Sequence, residues 1–205
     1  MWNLFLSGGP VMWPLLACSL VALTMIVERL MFWLRTDVAR DRAAIERLLE
    51  AYRLGREHGD GEIAPQGAVL RMLLSGLAHR EFSCAKAMET VALEELKRMR
   101  RGMNVLDTII TAAPMLGILG TVTGIITSFD ILGQVGVEEP KAVVAGIAEA
   151  LITTAAGLTI SIATVFPYNY FNSRIEDAQE LFEHYGTRLE ILQNYARQIK
   201  EGDTA

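Results

Sequence analysis

A chain of 205 residues, 51% apolar, 21% charged and carrying a net charge of −5, has room for one or two domains. That mild acidic balance says little about nucleic acid by itself, and no nucleic-acid partner is expected. Cys18 sits in an apolar run and Cys84 in a charged segment, which argues against a disulfide. His58, His79 and His184 show no metal-ligand spacing, and there is no nucleophile motif or phosphate-cradling loop, so neither an enzyme nor a cofactor is expected.

Residues 1–34 read as an N-terminal tail and a first membrane-spanning helix. The run 10–27 is uncharged over 18 residues, and a spanning helix needs about 20. No Lys or Arg precedes it and "ERLMFWLR" follows it, the flank of a stop-transfer span rather than of a cleaved signal. Trp2, Trp13 and Trp33 suit the two interfacial belts of that span. Residues 35–107 form a charged helical segment. Within it, 38–58 is an amphipathic helix, "GDGEIAPQG" (59–67) is a break, and a second helical stretch begins near 68. A third, 84–107, carries Met88, Ala92, Leu96, Met99, Met103 and Leu106 at spacings of three and four and is expected to run straight into the next span.

The second span is 108–129, uncharged over 22 residues; a loop at 130–141 leads to a third span at 142–171. Downstream of Glu149 no charge appears through Ser173. The tail, 172–205, places Ile175, Ala178, Phe182, Tyr185, Leu189, Leu192, Ala196 and Ile199 on one heptad-like seam, which fits packing on its own subunit as well as on another. The fold class is therefore all-α: an integral membrane protein with three transmembrane helices, the second and third extended into long cytoplasmic helices.

Charge asymmetry orients the chain. Residues 35–101 hold 13 Lys and Arg, whereas 130–141 holds only Lys141 against three acids. Basic residues near span ends collect on the cytoplasmic side. The N-terminus is thus expected outside, 35–107 inside, 130–141 outside and the C-terminus inside.

Glu149 is the chemical anomaly. A charged carboxylate at the bilayer centre costs about 2.5–3.5 kcal/mol on insertion scales. Glu149 lies nearer the end of its span, roughly 10 Å in at about 1.5 Å per residue, and a proton, water or a partner would lower its cost. That makes it a candidate proton relay, the alternative being a solvated helix end. Thr154, Gly157, Ser161 and Thr164 form a small and hydroxylated stripe on the third span, and Gly117, Thr121, Gly124 and Ser128 form one on the second. Such stripes line polar paths or simply pack helices. The first span is bulky all round, which suits a lipid-facing helix. Pro114 and Pro167 kink their spans or sit at their ends.

"AAPMLGILGTVTGIITSF" (112–129) and "GIAEALITTAAGLTISIATVFPYNYF" (146–171) together resemble the paired signature of the MotA/TolQ/ExbB proton-channel family, and the N-terminal span resembles that of the ExbB/TolQ branch. The resemblance implies that Glu149 is the membrane glutamate and that Thr121 and Thr154 are pore threonines. It puts Pro114 and Gly120 at turn and packing positions and Pro167 at the exit of the third span. Where many members of that branch carry Trp, this chain has Thr123. Helix geometry leaves Thr153 open beside Thr154, since Thr153 lies one turn from Glu149. The resemblance further implies a homopentameric ring in the lipid of a bacterial inner membrane. Inside the ring sits an ExbD/TolR-like single-span subunit carrying a membrane Asp, and proton flow drives work through a TonB- or TolA-like protein. The flagellar MotA kind and a non-conducting membrane scaffold are the alternatives.

Overall fold

The computed structural model describes residues 8–36, 38, 42–53, 67–79, 83–135 and 140–202. These residues form six helices: α1 (Met12–Arg35), α2 (Arg42–Arg53), α3 (Ala68–Ala78), α4 (Cys84–Met99), α5 (Met103–Val135) and α6 (Pro140–Gly202). Three of them, α1, α5 and α6, are long and apolar enough to cross a membrane. The architecture is all-α, as the charge-free runs predict.

The chain divides into two compact units, residues 1–30 with 102–171, and residues 31–101 with 172–205. The first holds most of α1, all of α5 and α6 as far as Phe171. There α1 starts from the turn at Gly8–Val11, where the Gly9 carbonyl accepts the Met12 N–H at 3.2 Å. Pro10 fits this entry because a helix start leaves its first N–H groups unused. Most large side chains on these helices face outward: Leu20, Met115, Ile118, Leu151 and Phe166 are each more than half exposed. Apolar exposure on this scale suits a lipid surface or a neighbouring chain.

The second unit has a core of its own. Val69, Leu70, Met72 and Leu73 of α3 are fully buried, as are Ile45, Leu48 and Leu49 of α2. The seam on α6 closes this core: Ile175, Ala178, Phe182, Tyr185 and Leu189 are all buried within the chain. The first five seam residues thus pack on their own subunit. The Arg71 guanidinium donates to Glu95 Oε1 at 2.8 Å, and Arg188 makes a two-pronged pair with Glu46 at 2.8 and 3.0 Å. That pairing holds the Glu46 carboxyl below the usual carboxylate range and raises the Arg188 guanidinium further.

Two expectations need correction. The stretch 84–107 does not run unbroken into the second span: α4 ends at Met99, and Gly102 adopts φ +81 before α5 begins. Glycine takes that left-handed conformation without the steric penalty of a side chain, and a Cβ there would overlap Met25 Cε. Trp33 is not an interfacial anchor. It is 6% exposed, with the Arg174 guanidinium 5.4 Å from its ring centroid, a cation–π contact. Trp13, by contrast, is exposed. Helix α5 continues past the apolar run to Val135 and α6 begins at Pro140. The break expected at 59–67 lies, but for Gly67, outside the described residues, as do Trp2, residues 136–139 of the connection and the side chain of Ile199.

Candidate functional site

The site is built on the seam between α5 and α6. Glycine lets two backbones approach where any larger residue would hold them apart. A Cβ on Gly117 would stand 3.1 Å from Thr153 O and from Thr154 Cα, and one on Gly124 would stand 2.9 Å from Ala150 Cβ. A Cβ on Gly120 would overlap the Thr153 hydroxyl, and one on Gly157 would overlap the Ala113 carbonyl. The small stripes of the two helices therefore pack on each other, and Gly146 meets Ser128 in the same way.

Hydroxyls fill what the glycines leave. Thr121 and Thr154 touch hydroxyl to hydroxyl across the seam. Both also lie within hydrogen-bond distance of the Gly117 carbonyl, Thr121 at 3.1 Å and Thr154 at 3.0 Å. A hydroxyl has one proton, so one of them donates there while the other donates to its neighbouring hydroxyl. Ser161 donates to the Ile110 carbonyl of the other helix at 2.7 Å. That oxygen is available because Pro114, four residues on and inside α5, has no N–H to give it. A freed carbonyl in a membrane helix needs such a substitute donor. Pro167 likewise lies inside α6 rather than at its end.

Thr153 is buried at 1% exposure under Gly120. Its hydroxyl donates to the Ala150 carbonyl at 2.8 Å, back along its own helix. Thr123 is exposed on α5, and its hydroxyl bonds only backbone, at Leu119 and Gly120.

Glu149 stands apart from the threonine pair. It is half-buried, and among the described residues its carboxyl takes no hydrogen bond and no ion pair. Five residues separate it from Thr154, which turns the two side chains about 140° apart around a helix of 3.6 residues per turn. The carboxylate instead lies on the Gly8–Val11 turn: Gly9 has φ +66, and a Cβ on it would overlap Glu149 Oε1. A Cβ on Gly8 would lie 3.4 Å from Ile152 Cγ2, on the same side of α6. The sequence reading missed this turn. "GGP" at 8–10 signals a turn before a helix, but nothing local ties it to a residue 140 positions away. No cluster of metal-ligating side chains occurs among the described residues.

Residues 64–184, more than half of the chain, match the MotA/TolQ/ExbB proton channel family. The chain belongs to that family. The matched stretch contains both α5 and the α6 segment that carries Glu149 and Thr154. Relatives resemble the chain nearly end to end. It is 40% identical to the biopolymer transport protein ExbB-like 1 of Synechocystis, over 92% of this chain and 77% of the relative. It is 36% identical to ExbB-like 3 of the same organism, over 91% of this chain and 92% of that one. A shorter match, 39% identical over 45% of this chain and 40% of the relative, is to the Tol-Pal system protein TolQ of Pseudomonas aeruginosa. Family membership and the three long apolar helices make the chain a multi-pass membrane protein.

Proposed function

We propose that this chain is the ring-forming, proton-conducting subunit of an inner-membrane energy-transducing complex of the ExbB/TolQ kind. The observation that carries the reading is Glu149. A carboxylate inside a charge-free stretch of a family-matched spanning helix has no partner in its own chain among the described residues. An unpaired intramembrane carboxylate marks an ion path or meets a group from another chain. The second group is assigned to a single-span ExbD/TolR-like subunit held inside a homopentamer, with N-termini outside and C-termini in the cytoplasm. One charge crossing 100 mV releases about 2.3 kcal/mol, and a TonB- or TolA-like protein would carry that work onward. Thr121 and Thr154 supply hydroxyls at the helix seam, while Pro114, Gly117, Gly120, Gly124, Gly157, Ser161 and Pro167 shape the two helices that hold it.

A second reading, a non-conducting scaffold, is favoured by one observation: the small stripes are filled by helix-on-helix contact. Proteoliposomes holding the chain with its single-span partner separate the two. Under an imposed pH gradient, Glu149→Gln is expected to assemble normally and to lose proton flux, read with an entrapped pH dye. Flux at the wild-type level in that variant would leave the scaffold as the better description.

A further inference from the structure

We infer that the Gly8–Val11 turn is a positioning element for Glu149, with Gly9 as its central residue; this rests on the ion-pathway reading and extends it to the entry of α1. Three observations carry it. Gly9 holds φ +66, a conformation that side-chain-bearing residues rarely adopt. The space a Cβ would fill there is already taken by the Glu149 carboxylate, with Oε1 overlapping it, Cδ at 2.8 Å and Cγ at 3.4 Å. Among the described residues nothing else polar holds that carboxylate, which forms no hydrogen bond or ion pair.

The turn is itself tied to α1. The Gly9 carbonyl accepts the Met12 N–H, the Pro10 carbonyl the Trp13 N–H, and the Val11 carbonyl the Leu15 N–H, at 3.2 to 3.3 Å. The seat of the carboxylate is therefore a turn hydrogen-bonded to the start of another spanning helix, not a loose loop. The neighbouring Gly8 acts differently. A Cβ there would meet the flexible Met12 side chain at 2.5 Å, and no atom of the carboxylate would lie nearer to it than 3.4 Å. Only Gly9 needs to be bare for Glu149 to lie where it does.

The test is a double-mutant cycle on the full chain in lipid nanodiscs. The readouts are the rate at which dicyclohexylcarbodiimide modifies Glu149, followed by mass spectrometry, and the infrared carboxyl band isolated by subtracting the E149Q spectrum. Gly9→Ala is expected to push the carboxyl off the turn, raise its labelling rate about threefold or more and shift its band, the size of coupling seen between residues in contact. Gly8→Ala is expected to leave both unchanged. Glu149→Asp withdraws the carboxylate by one methylene, so adding Gly9→Ala in that background is expected to change nothing further. The inference is overturned if Gly9→Ala labels at the wild-type rate, or if its effect is undiminished in the E149D background, which would mean a distorted turn rather than a lost seat. Lost flux in E149Q alongside unchanged labelling in G9A would overturn the positioning alone. Wild-type flux in E149Q with the coupling intact would overturn the ion pathway alone.

Discussion

Replacing Ser161 by Ala isolates one hydrogen bond with a well-defined alternative. Its hydroxyl, 2.7 Å from the Ile110 carbonyl, is the donor that replaces the N–H missing at Pro114. Ser161 is 8% exposed, so little solvent reaches the freed oxygen once the hydroxyl is gone. Interhelical hydrogen bonds in membranes contribute about 0.6 kcal/mol on average and up to about 1.7. Leaving a buried acceptor unsatisfied costs about 1–3 kcal/mol. Ser161→Ala should then destabilise the chain by about 1–2 kcal/mol. Pro114→Ala restores an N–H that can close the helical bond to Ile110, so in that background the same change should cost no more than about 0.5 kcal/mol. Unfolding of the four cycle members in mixed micelles, followed by far-ultraviolet circular dichroism, measures the coupling. Equal costs for Ser161→Ala with and without Pro114 would refute the substitute-donor argument.

Other outcomes follow from the same geometry. Gly157→Ala puts a Cβ onto the Ala113 backbone carbonyl and should destabilise by about 1–3 kcal/mol in the same assay. Gly133→Ala meets nothing within 4 Å and should be neutral or stabilising by up to about 1 kcal/mol. Similar losses at both positions would show that the seam is not tight. The Glu46–Arg188 pair is 52% and 40% exposed, so it should contribute only about 0.2–1 kcal/mol, less at high salt. Because the folded-state Glu46 carboxyl lies below its ordinary value, that contribution is present above the unfolded-state value and lost as the pH falls through the folded one. Thermal melts of Glu46→Gln against wild type should therefore converge at acid pH, and a gap that widens there would contradict the pairing.

The three spans were legible because lipid imposes a length and a polarity that charge-free runs satisfy directly. The α6 seam was legible as a periodicity, and burial of Ile175 to Leu189 settled which surface it meets. What stayed hidden depends on the third dimension or on single backbone angles. Gly102 stands in a helical pattern, and its φ of +81 is not encoded by the residues around it. Trp33 has the composition of an interface anchor, and only packing beneath Arg174 makes it a core residue. At the site, the small stripes were visible, as were Pro114 and Ser161 as separate residues. Their connection through the Ile110 carbonyl was not, because it joins positions 51 apart. The Glu149 seat on Gly9 is more remote still, and no pattern within either segment announces the other.

The close approach of α5 and α6 has a consequence for motion. Glycine and alanine lose no side-chain rotamer freedom on burial, so ordering this interface costs almost nothing in side-chain entropy. For the same reason it has few rotamers that could flip to let one helix slide past the other. Gly117, Gly120, Gly124 and Gly157 thus weld two spans into one stiff plank. If ion passage reshapes the assembly, the soft directions lie elsewhere, on the outer faces bearing Met115, Ile118, Leu151 and Phe166, where long side chains can repack.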